Sequence, residues 1–155
     1  DWSKKKNIVT PVKDQGLCAS CYAFAAIASL ETTYNIKYNS NGLQDSMAIF
    51  SEQQIVDCDT INDGCSGGAI DSVFKWVIGN EYLCSQSSYP YISAKSNCAQ
   101  IQCTKYNNLP NGYINIPPNS DNDMMSAGVN NPVSVLVDAT SRNFQLVCIF
   151  YIKLQ

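Results

Sequence analysis

Residues 14–24 read Asp14-Gln15-Gly16-Leu17-Cys18-Ala19-Ser20-Cys21-Tyr22-Ala23-Phe24, a glycine-bearing turn followed by the start of a helical pattern. Apolar residues then recur at spacings of three and four, which predicts a mostly buried helix from Ser20 to about Tyr38. A cysteine at the start of a helix lies in the field of unsatisfied backbone N–H groups, which favours the thiolate over the thiol. Cys21 is therefore the candidate nucleophile, and Cys18, in the preceding turn, is better placed to form a disulfide.

The composition is that of a folded protein, with 155 residues of which 45% are hydrophobic and 15% charged. The net charge of -3 and the pI near 4.7 provide no basic surface for nucleic acid or for an anionic membrane. No apolar run reaches membrane-spanning length and no N-terminal signal segment is present, so we expect a mature chain. Eight cysteines in 17.0 kDa favour an oxidised compartment, lysosomal or secreted.

Two further helices are predicted in the first part of the chain. Residues 51–54, Ser-Glu-Gln-Gln, form a capping box in which Ser51 accepts from the third helical N–H and Gln54 reaches back. A glycine-rich turn precedes the third helix, which begins at Ile70 and has Gly79 as its predicted C-cap.

The pattern changes near residue 110, and we predict a domain boundary there. Residues 1–110 combine the predicted helices with cysteine-rich loops, whereas residues 111–155 predict a short, β-rich second domain. The elements predicted in the second domain are a strand at 112–116, a short helix at 121–127, and strand-like runs at 133–137 and 147–154.

The Cys18-Ala-Ser-Cys21 pair by itself has three interpretations: a redox dithiol, half of a zinc site, or a structural cysteine beside a nucleophilic one. A thioredoxin-like dithiol needs a strand before the motif, which residues 1–17 do not clearly provide. A zinc site needs a second close pair of ligands, yet the next cysteines are Cys58 and Cys65 and the chain contains no His. The third interpretation is the most specific of the three, because a longer stretch of sequence around the pair bears on it.

Residues 15–25 resemble the nucleophile segment of the papain-like cysteine peptidases, where a C-G-[SA]-C-[WY] pattern surrounds the catalytic cysteine. The resemblance continues in that family's order and near its spacings over residues 1 to about 146. The further motifs are Asp1-Trp2, Val9-Thr10-Pro11-Val12-Lys13, Ser51-Glu52-Gln53-Gln54-Ile55-Val56-Asp57-Cys58, Gly64-Cys65-Ser66-Gly67-Gly68, Tyr89-Pro90-Tyr91 and Pro132-Val133-Ser134-Val135. The resemblance implies an α+β, papain-like fold with a complete helical left domain and an incomplete antiparallel β-barrel as the right domain.

The resemblance also implies roles for individual residues, without a metal or another cofactor. Cys21 corresponds to the nucleophile that forms a thioester acyl-enzyme. Gln15 corresponds to the side chain that stabilises the oxyanion together with the backbone N–H of Cys21. Gly67 and Gly68 correspond to the backbone that pairs with an extended substrate. The pocket for the substrate residue second from the scissile bond is implied at Ala69, Ile70 and Leu136.

Three disulfides follow from resemblance alone. The family's own bridges correspond to Cys18–Cys65 and Cys58–Cys98. A further bridge, Cys84–Cys103, follows from the spacing of these cysteines around Cys98 and from Tyr22 after the nucleophile, which are similar to dipeptidyl-peptidase I (cathepsin C). The exclusion domain of that enzyme has no counterpart in the sequence, so exopeptidase activity does not follow.

The sequence contains no His, whereas the family's general base is a His expected at about residues 151–171 here. The tail after Leu146 also departs from the family pattern. Three explanations stay open: a truncated or frame-shifted product, one chain of a two-chain enzyme, and a non-catalytic homologue that binds peptides. The expected partners are a peptide or protein substrate, a separate chain that supplies the His, and cystatin-type inhibitors, but no nucleic acid and no membrane.

Overall fold

The computed structural model describes residues 1–40, 46–99, 102–137 and 140. Helix α1 (Cys21–Asn39) packs against helix α2 (Glu52–Cys58) and helix α3 (Ile70–Asn80). The remaining elements are 3-10 turns at Trp2–Lys4 and Gly64–Ser66, strands β1 (Leu83–Cys84) and β2 (Lys105–Tyr106), and helix α4 (Asp121–Asn130).

Helix α1 is the element around which the others pack, and it confirms the predicted helix. Its apolar side chains in the core are Tyr22, Ala23, Ala26, Ile27, Leu30 and Tyr34. Polar residues of α1 are buried too, and they have partners: the side chain of Asn35 bonds the backbone of Ile8 and of Ala48. Burial on several sides explains why α1 passes through the middle of the helical region, because a helix with one apolar face would lie on its surface.

The Ser51 cap of α2 is confirmed, since its Oγ accepts from the backbone N–H of Gln54 at 3.0 Å. The second half of the predicted capping box is different. The side-chain oxygen of Gln54 accepts from the N–H of Cys84 at 2.7 Å, and the N–H of Ser51 donates to the carbonyl of Cys84 at 2.9 Å. The groups that would bond each other in an isolated helix therefore hold β1 against α2.

The end of α3 corrects a prediction. The helix begins at Ile70 as expected, but it continues through Gly79 to Asn80. Glu81 takes the left-handed conformation, with φ of 66°, and its N–H donates to the carbonyl of Val77 at 3.1 Å. Gly79 is therefore not the C-cap. The left-handed position costs a non-glycine residue about 1–2 kcal/mol, which the helix-ending hydrogen bond helps to offset.

The small sheet closes one edge of the core. Strands β1 and β2 pair antiparallel, with Leu83 opposite Tyr106 and Cys84 opposite Lys105. The ring of Tyr106 lies 5.1 Å from that of Phe50 and 5.7 Å from that of Tyr34, between ring centroids. The sheet thus places an aromatic side chain against α1 and extends the core.

Beyond residue 110 the predicted helix is present and two predicted strands are not. Helix α4 has Ser120 as its N-cap and acidic residues in its first turn, which complement the helix dipole. Residues 112–116 and 133–137 form no strand, so these predictions are wrong, and 147–154 lies outside the described residues. An alternating pattern makes a strand only where a neighbouring strand accepts its hydrogen bonds. The domain boundary at residue 110 stays a prediction.

Candidate active site

Cys21 is the first residue of α1, and its side chain is exposed. The preceding residue, Ser20, is the N-cap and is fully buried, but its side chain makes no cap hydrogen bond to the helix. The first N–H groups of an α-helix have no partner inside the helix and attract negative charge. The fold therefore presents the Cys21 sulfur to solvent at the positive end of a 19-residue helix.

The other cysteine of the C-x-x-C pair is bonded elsewhere. Cys18 forms a disulfide with Cys65, and the structure also contains the bridges Cys58–Cys98 and Cys84–Cys103. These are the three pairs that the resemblance implied. Cys21 is the free cysteine of the described residues, so the pair is not a redox dithiol in this structure.

The Cys18–Cys65 bridge fastens the start of α1 to the glycine-rich loop. The N–H of Ala19 donates to the carbonyl of Cys65 at 3.2 Å, and the hydroxyl of Tyr22 donates to the carbonyl of Gly64 at 2.9 Å. Burial raises the pKa of Tyr22 to about 12, with smaller contributions from nearby acidic groups. The phenol therefore keeps its proton, and this hydrogen bond, throughout the neutral range.

Gln15 lies on the loop that leads to α1. Its side-chain amide donates to the carbonyl of Cys18 at 2.9 Å. Gly16 follows in the left-handed region, with φ of +61°, and its N–H donates to the side chain of Asp14 at 2.8 Å. A primary amide carries two N–H donors. The bond to Cys18 holds that amide beside the segment that ends in Cys21.

Gly67 and Gly68 lie in the loop between the Cys65 bridge and α3. Gly67 has φ of +113°, and a Cβ there would meet nothing within 4 Å, so the space around it is open. A Cβ on Gly68 would approach Asn62 to 2.5 Å and the ring of Tyr22 to 2.8 Å. Gly67 therefore leaves backbone accessible, and Gly68 lets the loop pack against α1.

The residues after the glycines occupy different environments. The N–H of Ala69 donates to the side-chain oxygen of Asn62 at 2.8 Å, and its side chain is exposed at the N-cap of α3. Ile70 is partly buried and packs against the core. Leu136 is 83% exposed, on a segment that is joined to α1 where Ser134 Oγ donates to the Ala25 carbonyl at 2.7 Å. The structure thus places Leu136 on the surface.

A buried charge cluster anchors the loop that carries Gln15, because Lys13 lies two residues before it. The ammonium of Lys13 lies 2.6 Å from Glu31 of α1 and 2.5 Å from Glu52 of α2. Glu31 also accepts from the hydroxyl of Thr10 at 2.6 Å and from the N–H of Phe50 at 2.7 Å. The second carboxylate oxygen of Glu52 is buried and has no partner among the described residues. Burial raises the pKa of Glu52, and the attraction of Lys13 only partly opposes this.

Sequence reasoning missed one residue next to the site. The sequence singled out Tyr91 only as part of the Tyr89-Pro90-Tyr91 motif. In the structure its hydroxyl donates to the backbone carbonyl of Gln15 at 2.8 Å. It also lies 2.7 Å from the hydroxyl of Ser20. The motif was the available signal, but nothing in its composition tells which of its tyrosines reaches the site.

The described residues contain no group of three or more His, Cys, Asp or Glu side chains able to hold a metal ion. In the same part of the chain, no helix combines the length and the apolar character needed to cross a membrane.

Comparisons with known proteins add to this geometry. Residues 1–149 match a family model described as papain family cysteine protease. Cysteine proteinase EP-B 1 of Hordeum vulgare is 38% identical over 150 residues, which cover 93% of this chain and 38% of that protein. Probable cysteine protease RD21C of Arabidopsis thaliana is 40% identical over 148 residues, which cover 94% of this chain and 31% of that protein. The chain therefore spans well under half the length of these relatives.

Among solved structures, the bromelain protease of Ananas comosus in complex with the E64 inhibitor superposes with a TM-score of 0.81. It is 38% identical, and the match covers 94% of this chain and 63% of that one. This likeness confirms the α+β, papain-like fold class predicted from the sequence.

Proposed function

Because this chain belongs to the papain family of cysteine proteases, we propose that it carries the nucleophile and the peptide-binding side of a cysteine endopeptidase. The observation on which the proposal rests is the exposed, unbridged Cys21 at the start of α1, next to the loop of Gln15 and facing solvent. Its relatives are named cysteine proteases, so the chain is a papain-like cysteine endopeptidase by resemblance.

The chemistry assigned to the site is acyl transfer. The Cys21 sulfur attacks the scissile carbonyl, the new S–C bond forms, and the carbonyl π pair moves to oxygen to give a tetrahedral oxyanion. We assign stabilisation of that oxyanion to the amide of Gln15 and the backbone N–H of Cys21, since such donors are each worth about 100-fold or more in rate. Collapse breaks the C–N bond as a general acid from outside this chain protonates the leaving nitrogen, and water then hydrolyses the thioester to the carboxylic acid and the free Cys21 thiol.

Substrate binding is assigned to the loop before α3. Gly67 is partly exposed with open space beside its Cα, and Gly68 is exposed, which supports pairing of this backbone with an extended peptide. Ala69, Ile70 and Leu136 are proposed to contact the substrate residue second from the scissile bond. The exposure of Ala69 and Leu136 and the partial burial of Ile70 are compatible with this role.

The general base has to come from elsewhere, because the 155 residues include no His. We propose that it lies in protein sequence outside this chain, whether continuous with it or on a separate chain. The chain alone should then react with an inhibitor without turning over a peptide amide, since the leaving amine finds no imidazolium to protonate it. The same absence favours a second candidate, a non-catalytic homologue that binds peptides.

Exposure of the purified chain to E-64, followed by intact mass under non-reducing conditions, tests the proposal. We expect one adduct on the wild type and none on Cys21→Ser. Cys148→Ser is the matched control, since it removes the other cysteine outside the three disulfides, and it should label like the wild type. Absence of the adduct, or an adduct that persists in Cys21→Ser, would contradict the peptidase proposal and favour the binding homologue.

The cellular location and the inhibitors of the enzyme are proposed from the disulfides and from the family resemblance. Three disulfides suit an oxidising compartment, which supports a lysosomal or secreted location. Cystatin-type inhibitors are proposed as partners because they would occupy the same groove as a substrate. The relation to dipeptidyl-peptidase I rests on the Cys84–Cys103 bridge and on Tyr22, and it extends to no exopeptidase activity.

A further inference from the structure

We propose that Tyr91 is a positioning residue that holds the loop of Gln15 at a set distance from the start of α1. The inference rests on the proposed function, because it assigns Tyr91 a role toward the oxyanion donors Gln15 and Cys21. Tyr91 itself touches neither the sulfur nor the substrate in this assignment. Its hydroxyl connects the backbone of one donor residue with the residue directly before the other.

The hydrogen-bond directions at Tyr91 follow from counting protons. A phenol has one proton, and the Tyr91 hydroxyl donates it to the carbonyl of Gln15 at 2.8 Å. The 2.7 Å contact with Ser20 must then use the proton of the serine hydroxyl. The alternative acceptor for Ser20, the carbonyl of Cys18, is at 3.4 Å and is the weaker choice. A directed chain therefore runs from Ser20 through Tyr91 to Gln15.

The tyrosine is itself held in place. Its ring packs edge-on against Phe24 of α1, with 4.9 Å between ring centroids. The residues that follow it are fastened to α2, because the side chain of Gln53 accepts from the N–H of Ile92 at 2.9 Å and donates to the carbonyl of Ala94 at 2.7 Å. The loop is closed further on by the Cys58–Cys98 disulfide. Tyr91 thus reaches the site from a support that does not depend on the Gln15 loop.

The Gln15 loop packs closely against the loop that carries Tyr91. A Cβ on Gly16 would lie 2.5 Å from the hydroxyl of Ser93, so the two loops are in close contact. Ser93 Oγ also donates to the Gln15 carbonyl, at 3.4 Å. Displacing a catalytic group by about 1 Å can cost on the order of 100-fold in rate. Loss of the Tyr91 bonds is therefore expected to weaken oxyanion stabilisation while the glycine-lined groove is unchanged.

Tyr91→Phe tests the inference, with Tyr89→Phe as the matched control. Both variants remove one phenol from the same loop, but the Tyr89 hydroxyl bonds Asp57 and the N–H of Ala99, away from Gln15. The probes are a peptide aldehyde and the corresponding peptide alcohol. The aldehyde adds to the Cys21 sulfur, forming an S–C bond and a tetrahedral oxygen that takes its proton from water. The alcohol lacks the carbonyl and reports groove binding alone.

We expect Tyr91→Phe to weaken aldehyde binding about tenfold and to leave alcohol binding unchanged. Tyr89→Phe should leave both affinities unchanged. Equal weakening of aldehyde and alcohol binding in Tyr91→Phe, or no weakening of either, would overturn the inference, since a purely structural role predicts one of these results.

A second measurement separates this inference from the proposed function. If the wild type forms no aldehyde adduct, the peptidase proposal fails, and the side-chain amide resonances of Gln15 in ¹⁵N-labelled protein then decide the positioning claim. We expect these resonances to shift in Tyr91→Phe and to be unchanged in Tyr89→Phe. Gln15 resonances that are the same in all three proteins would contradict the role of Tyr91.

Discussion

Residues 1–110 and residues 111–137 differ in what they bury. Every buried residue of the described chain lies between Ile8 and Ser85, and the three disulfides lie in the first region as well. The second region has no buried residue, and its apolar side chains include Ile114, which is 91% exposed. The first region therefore has a buried apolar core, although some of its apolar side chains, such as Val12 and Leu17, are fully exposed. The second region has helix α4 but no buried core of its own.

The difference shows what local pattern can and cannot do. Helix α4 forms in the second region because its cap and its acidic first turn are local signals. The strands predicted in the same region need neighbours that are distant in sequence, and they do not form. The contacts observed there are single links, such as the Trp2 indole N–H donating to the Gly128 carbonyl at 3.1 Å.

The largest expected effect contrasts the two regions directly. Phe50 is fully buried between Tyr34 and Tyr106, so Phe50→Ala should lower the free energy of unfolding by about 3–5 kcal/mol. Ile114→Ala, in the exposed region, should change it by no more than about 0.5 kcal/mol. Urea unfolding of both variants gives the comparison. Similar losses in the two variants would mean that the second region is packed after all.

An intermediate effect is expected inside the first region, at the buried charge cluster. Glu31→Gln disturbs a carboxylate whose two oxygens both have partners, and it should destabilise the fold by about 2 kcal/mol at neutral pH. Glu52→Gln removes the charge of a carboxylate with one unpartnered oxygen, and it should stabilise the fold by about 1 kcal/mol.

The effect of Glu52→Gln should depend on pH. Because burial raises the pKa of Glu52 above its ordinary value of 4.5, the folded state binds this proton more tightly than the unfolded state. Protonation of Glu52 therefore contributes to the stability of the folded wild type. This contribution is fully present below pH 4.5 and is lost as the pH rises through the pKa of Glu52 in the folded state. The advantage of Glu52→Gln over the wild type should therefore appear on raising the pH above about 4.5. Denaturant titrations of both proteins at several pH values measure this effect. A difference in unfolding free energy that is the same at every pH would refute the raised pKa of Glu52.

The smallest effect concerns the link between the two regions. Ser134→Ala removes the hydrogen bond to the Ala25 carbonyl and should cost about 1 kcal/mol or less. Hydrogen exchange should speed up in residues 133–137, while the amides of α2 serve as the internal control. Faster exchange throughout α1 and α2 would instead show that this single bond supports the core of the first region.

Much of the helical region could be predicted because its signals are local or strongly patterned. The spacing of apolar residues predicted α1, and Ser51 predicted the start of α2. Gly79 failed as a C-cap because Glu81 can take the left-handed position in its context. The reverse half of the capping box failed because Cys84, 30 residues away in the chain, competes for Gln54. Tyr91 was missed because its partners are more than 70 residues away.

The sequence by itself determined the family, the helices and the position of Cys21 at a helix start, because these depend on motifs and periodicity within short stretches. Tertiary structure alone decided which groups around Cys21 meet. It brought Tyr91 between Ser20 and Gln15, buried Glu52 beside Lys13, and left Leu136 at the surface. Such contacts depend on how separate segments pack, and a buried polar group takes whichever partner the packing places within hydrogen-bonding distance.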